Sequence, residues 1–492
     1  MRYHLLTLGC PKNTVDSEGM AGLLADAGYK PTQRPDRADV LIVNTCGFIG
    51  PARDESIGAL RELGRRKRPH QLLIATGCLV QRAGASLQRE LPEVDAILST
   101  RRWYEIANLV AQLRQDRYGD IPAAGLTAAP DLLRANVGLV LNRDEAMPAQ
   151  AIAAPVARRP VGTSAYLKIA DGCSAPCAFC TIPGIKGPWR SKPLAAIVQE
   201  AEALVTQGVR EIILIAQDTT AYGYDWGQRD QLAPLLDSLC ASLPGDIWLR
   251  LMYAFPGRVT PRLVESMARH SQIVHYLDMP LQHGDAATLA RMRRPSPSVA
   301  ARNIRDLRAA MPDIAIRSGF IVGYPGETEA EFQGLLDFLA EHELDKVGVF
   351  TFCQEDGTPA GAMPDQVPQA VKEERRDRAM ELQQAISLRR NRAQVGRTLD
   401  VLIEGVGDGI SVGRSYRDAP EVDGMVLIQH ELASGQRLPI TISGAMAYDL
   451  LGQPATSDDR PPATDDSPQR VMQRRHEGHA ATQPRRREGK KV

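Results

Sequence analysis

Cys173, Cys177 and Cys180 stand in a Cys-x-x-x-Cys-x-x-Cys run directly after the apolar stretch 165–170. Soft thiolate sulfur suits iron–sulfur chemistry, and three thiolates leave one coordination position of a cluster open to bind and activate a small molecule. A structural zinc knot is the competing reading, but it calls for four protein ligands, commonly in pairs of Cys-x-x-Cys, and no further Cys or His stands near the run. A redox disulfide is the weaker rival, because eight cysteines spread over 492 residues do not make a secreted disulfide framework.

A second triplet precedes it. Cys10, Cys46 and Cys78 each follow a short apolar run, at 3–8, 40–43 and 72–75. The intervals match one strand plus its crossover helix, so residues 1–115 read as repeated βαβ units with a parallel sheet. Ligands gather beyond the carboxyl ends of such strands. Any one of these residues alone would be a buried thiol, whereas three at equivalent strand ends point to a metal site. Cys240 and Cys353 have no such pattern and are assigned to packing.

The elements that must position these thiols follow from periodicity. The chain is 43% hydrophobic and 24% charged, with 59 basic and 59 acidic side chains, the composition of a soluble protein of two to four domains. No stretch has the apolar length of a membrane span or a signal peptide, so a cytoplasmic protein is expected, and zero net charge leaves nucleic-acid contact to local patches. Proline and alanine crowd 116–160, which reads as a linker. Across 161–395, strand-like runs recur at 165–170, 211–216, 247–252, 274–279, 314–323 and 346–352. Helical patterns separate them, including 195–207 and a capping box at Thr328 to Glu331. Six alternating units predict an open (β/α)6 barrel.

In such barrels the reactive face lies at the strands' carboxyl ends. This singles out Gln217 and Asp218, Gln282 and His283, and the stretch from Gly319 through Gly323 to Glu327, whose glycines can let backbone approach a ligand, or merely serve a tight turn. His283 reads equally as a structural histidine. A charged helix over 371–395, striped with Ala379, Leu382 and Ile386, leads to a small β barrel at 396–455 with strand-like runs at 399–403, 425–429 and 438–442. Residues 397–455 hold four arginines against eight carboxylates, an acidic balance that suits a basic protein better than a phosphate backbone. Residues 456–492 are nearly without large apolar side chains and are expected to be disordered. Their basic end could touch ribosomal RNA, though a solvated tail is the plainer reading.

The chain resembles the methylthiotransferase family of radical S-adenosylmethionine enzymes. Phe179 inside the central triplet, Leu8-Gly9-Cys10-Pro11-Lys12-Asn13, Asn44-Thr45-Cys46 and Thr76-Gly77-Cys78 carry the resemblance, which covers about residues 1–455. It implies a three-part plan of cluster domain, radical domain and TRAM domain, with a four-iron, four-sulfur cluster on each triplet. It also implies S-adenosylmethionine as radical source and methyl donor, and an electron donor. Phe179 and the Gly319 to Glu327 stretch would hold the adenosyl part. Cys10-Pro11-Lys12-Asn13 and Gln217-Asp218-Thr219-Thr220 resemble the branch that methylthiolates the β-carbon of an aspartate in the twelfth small-subunit ribosomal protein. The tRNA-modifying branch, which carries Cys-Gln-Met-Asn and Gln-Asn there, is the alternative. The long linker and the basic tail depart from the family pattern.

Overall fold

The computed structural model describes residues 1–118, Ile152 and 158–455; most of the expected linker and the whole expected tail lie outside the described residues. Valine, isoleucine and leucine run unbroken through 40–43 and 72–74, as in strands buried on both faces. They form β3 (Val40–Thr45) and β4 (Leu72–Gly77) at the centre of a parallel sheet with β1 (Arg2–Thr7), β2 (Lys30–Pro31) and β5 (Ala96–Ser99), in the order β2-β1-β3-β4-β5. Val40 and Ile42 pack with Met20, Leu24 and Val110 on one face, while Leu41 and Val43 pack with Leu60, Leu79 and Leu87 on the other. The order reverses direction between β1 and β3, and a crevice opens beyond the strand ends at such a switch point. Cys10 follows β1, Cys46 follows β3 and Cys78 follows β4.

The central unit has β6 (Ser164–Lys168), the short pair β7 (Ala170–Asp171) and β8 (Arg190–Ser191), then β9 (Glu211–Ile215), β10 (Trp248–Leu251), β11 (Ile273–Asp278), β12 (Ala315–Val322) and β13 (Lys346–Thr351). Its six long strands are parallel and lie in chain order, β6-β9-β10-β11-β12-β13, an open α/β barrel with all six expected runs in place. Residues such as Ile212, Leu214 and Leu249 face the outer helices, while Tyr166, Ile213, Ile215 and Tyr276 fill the lumen. Val15, from the helix Pro11–Asp26, joins that lumen cluster and ties the first sheet to the barrel. The capping box at Thr328 and Glu331 opens a helix to His342 as expected.

The helix Gln369–Arg392 buries Ala379 and Ile386. It leads into a closed barrel of β14 (Thr398–Gly407), β15 (Ile410–Ser415), β16 (Val426–Ile428), β17 (Arg437–Ala445) and β18 (Leu450–Pro454), in the order β14-β15-β16-β18-β17. The segment from the end of β15 toward β16 plugs the floor of the larger barrel. Arg414 donates to Ser164 at 2.7 Å and Glu211 at 2.6 Å, and Arg250 donates to the Tyr416 carbonyl at 2.7 Å. The Tyr276 hydroxyl donates to Asp423 at 2.6 Å, Arg317 lies 3.4 Å from Asp423 and Lys346 2.9 Å from Asp418. Every one of the six strands therefore contributes a polar anchor. Burying Arg414, Arg417, Asp418 and Asp423 there leaves Arg397 and Arg437 against Asp400, Glu404, Asp408, Glu421 and Glu431 among the exposed residues, so the acidic excess persists at the surface. Among the described residues no helix is long and apolar enough to cross a membrane.

Candidate active site

Between the carboxyl ends of the first sheet and those of the central barrel lies a chamber of about 350 Å³, and all six cysteines of the two triplets line it. The N-terminal three are held by a polar bracket across the strand ends. Asn13 donates to the carbonyls of Leu8 at 2.8 Å and Thr45 at 3.1 Å, and its Oδ1 lies 3.7 Å from Cys78 Sγ. Asn44 donates to the Asn13 carbonyl at 2.9 Å, and the Cys46 amide donates to Ser56 at 3.0 Å. Close approach requires glycine at two places. Gly9 has φ +93° and a Cβ there would lie 2.8 Å from Cys46 Cβ, while Gly77 has φ +101° and a Cβ would meet the Thr45 carbonyl at 2.4 Å.

The barrel triplet lies on the loop after β7. The Cys173 amide donates to the Gly187 carbonyl at 3.0 Å, Ala178 bonds Met292 and Ala360 through its backbone, and the Ala175 amide donates to Cys173 Sγ at 3.4 Å. Arg294 donates to Cys177 Sγ at 3.6 Å while its guanidinium lies 4.0 Å from the Phe255 ring centroid. Phe179 lines the chamber and leans on a cluster of Met292, Tyr324 and Phe352.

Burial pushes the Cys78 and Cys180 thiols up to about 12. Neither sulfur is therefore a nucleophile as a free thiol, and either would bind a metal only by giving up its proton. Among the described residues no three His, Cys, Asp or Glu side chains close tightly enough on one point to hold a single metal ion. Three thiols on each triplet match the donor set of an iron–sulfur cluster. The buried Gln217 Oε1, on the same wall, has no hydrogen-bond partner and is available to a bound molecule.

Of the other expected site residues, Asp218 lines the chamber but is engaged by Thr220 at 2.6 Å and by Arg258. Burial pushes its carboxyl up, against the pull of Arg258. Gln282 lines the chamber, whereas His283 turns away, accepting from the Asp285 amide at 3.0 Å and facing Glu327 at 3.5 Å. Neither Gly319 nor Gly323 is on the chamber wall: Gly319 pairs with Gly348 along β13, and Gly323, at φ +70°, lies where a Cβ would meet Lys372 Cγ at 2.2 Å. Cys240 packs in the barrel core, as expected, but Cys353 donates to Glu355 at 3.1 Å beside the first sheet's helix at Gly50.

Sequence reasoning alone misses Lys12, Tyr253, Phe255 and Arg294 as chamber residues. Tyr253 and Gln282 have positive φ, +62° and +76°, an unusual conformation for residues with a side chain and one that gathers at functional sites. The interface behind the chamber is ionic. Asp16 of the first unit binds Lys168 at 2.5 Å and Lys186 at 2.9 Å, and Lys168 also binds Asp171 at 2.8 Å, with Asp16, Asp171 and Lys186 buried and Lys168 half-buried. Arg158 joins Glu18 at 2.7 Å to Glu200 at 2.6 Å.

Known proteins share this plan. The Uncharacterized protein family UPF0004 matches residues 2–99, a TRAM domain matches 395–454, and the Radical SAM superfamily matches 167–339, which sets the class and with it a four-iron, four-sulfur cluster and S-adenosylmethionine. The ribosomal protein uS12 methylthiotransferase RimO of Roseiflexus sp. (strain RS-1) is 51% identical over 92% of this chain and 97% of its own length. The protein of the same name from Chloroflexus aurantiacus is 50% identical over 92% and 99%. The chain belongs to this RimO family of radical S-adenosylmethionine methylthiotransferases. Among solved structures, the radical S-adenosylmethionine methyltransferase TsrM from Kitasatospora setae aligns with a TM-score of 0.55 at 14% identity, over 73% of this chain and 77% of that one, a likeness of fold.

Proposed function

We propose that this chain methylthiolates the β-carbon of an aspartate in ribosomal protein uS12. Cys173, Cys177 and Cys180 hold the cluster that engages S-adenosylmethionine, and Cys10, Cys46 and Cys78 hold a second cluster through which sulfur is delivered. The observation that carries the proposal is that both triplets open into one chamber, so a carbon activated at one can meet sulfur held at the other without leaving shelter. When bound, the barrel cluster and S-adenosylmethionine supply a radical able to remove hydrogen from an unactivated carbon, with one electron from an external donor.

The chain's own residues do the positioning. Phe179 offers an apolar face to the adenosyl part, and Gln217 offers its free carbonyl oxygen and Arg294 a cation beside Cys177. Val15 and the floor plug keep water from entering through the lumen, which a radical site requires. Gly319 and Gly323 act behind this wall, shaping the strand end and the turn that follows it. Residues 1–115, 161–395 and 396–455 divide the work into sulfur delivery, radical generation and partner docking, in the cytoplasm. The acidic outer face of the last unit supports a basic protein partner.

Reconstituted enzyme incubated with uS12 and, separately, with tRNA tests this by mass spectrometry. A CH2S mass gain on the uS12 aspartate is expected, and a gain on tRNA alone would assign the chain to the other branch.

A further inference from the structure

Among the described residues, three cations line the chamber, and two are already engaged. Lys186 binds Asp16 and Thr100, and Arg294 binds the Pro280 carbonyl at 2.6 Å. Lys12 has no hydrogen-bond acceptor and no ion-pair partner among the described residues, although it is only 7% exposed. Its Nζ lies 2.9 Å from the centroid of the Tyr253 ring. Asp278, at the adjoining strand end, makes no ion pair with it; one of its oxygens takes Arg317 at 2.8 Å and the other takes the Tyr253 amide at 3.1 Å. That second bond holds Tyr253 in its positive-φ conformation, with its ring beneath the ammonium.

The ring face offers the ammonium no hydrogen-bond acceptor, so its N–H donors stay open to the chamber. An anionic ligand entering the chamber completes the arrangement. In an aspartate side chain the carboxylate is bonded directly to the β-carbon. A group that grips the carboxylate therefore also fixes the C–H bond that must react, which is where orientation contributes most to rate.

We propose that Lys12 binds the side-chain carboxylate of the substrate aspartate and selects aspartate at the target position. This rests on the uS12 reading above. The amide of asparagine carries no charge, so a charge-assisted bond predicts binding weaker on the order of 10- to 100-fold.

The test uses the reconstituted full chain with uS12 carrying aspartate or asparagine at the modified position, measuring Kd for both and KM and kcat for the aspartate form. The same samples are checked for iron content and for the electron paramagnetic resonance of both clusters. Wild type should prefer aspartate by the factor given. Lys12→Met should bring the two affinities together and raise KM by about that factor, with both cluster signals present, and Lys12→Arg should restore part of the preference. A Lys12→Met protein that still prefers aspartate overturns the proposal. So does one whose only change is a greater need for added sulfide, which would assign the lysine to the sulfur donor, or one that loses its N-terminal cluster signal together with Lys12→Arg, which would make it a structural part of that cluster. Wild type that modifies tRNA and binds neither uS12 form overturns the uS12 reading itself.

Discussion

Cys46 and Cys177 belong to different elements yet face the same space, so replacing each separates two jobs. Cys177 takes a hydrogen bond from Arg294 and sits on the loop that positions the barrel cluster. Cys177→Ala should abolish S-adenosylmethionine cleavage, read as loss of 5′-deoxyadenosine formation. Cys46→Ala should leave cleavage in place and stop sulfur insertion; losing both together would reduce the N-terminal site to a structural one. These six residues are legible from spacing because cysteine in a short run, or at repeated strand ends, has few other uses. Lys12, Tyr253 and Arg294 are not, because their roles arise from contacts far apart in sequence. Nothing in Met252-Tyr253-Ala254 signals a positive φ, as a glycine would have done, and Gly323 misleads in the opposite sense, since its glycine makes room for Lys372 and not for a ligand.

The element that decides whether three thiols act together is the set of strand ends of β1, β3 and β4, bracketed by Asn13. Removing its side chain would leave the Leu8 and Thr45 carbonyls short of a donor, at about 1–3 kcal/mol for each group that stays dry. Asn13→Ala should therefore lower thermal stability and shed the iron of the N-terminal cluster while the barrel cluster remains. Iron analysis with deoxyadenosine assay checks this, and full retention of both clusters would show that the bracket is dispensable. Long apolar runs made β3, β4 and the six barrel strands readable. Other strands gave no such signal, β2, β15 and β18 among them. β2 is a two-residue edge ending in Pro31, where a missing N–H is tolerated. β15 and β18 carry Gly413 and Gly452, where a Cβ would come within 2.6 Å of the Leu402 carbonyl and 2.4 Å of Ile440. Tight barrel crossings replace side-chain alternation with glycine, and the alternation is what a sequence reveals.

At the scale of the whole molecule, the terminal barrel is the floor of the catalytic one, and Glu211 is the joint between them. It is fully buried between Arg250 at 2.6 Å and Arg414 at 2.6 Å. Burial alone would push its carboxyl up, but Arg250 and then Arg414 outweigh that and set it at about 2. An unfolded glutamate titrates near pH 4.3, so the folded chain holds this carboxylate more tightly than the unfolded one, a linkage of about 3 kcal/mol. The contribution is fully present above about pH 4.3 and fades as pH falls toward 2. Glu211→Gln cannot titrate, and it leaves the buried Arg250 guanidinium without its anion, while Arg414 keeps Glu404 at 2.6 Å. At pH 7 the variant should be destabilised by about 3–5 kcal/mol, the cost of breaking a buried pair from one side. The gap between wild type and variant should then narrow steadily as pH drops from about 4.3 toward 2, because the wild-type carboxylate is lost over that range. Urea unfolding at a series of pH values measures the gap directly. A gap that stays constant with pH would mean that Glu211 holds the two barrels together by shape and hydrogen bonding, with its charge contributing nothing.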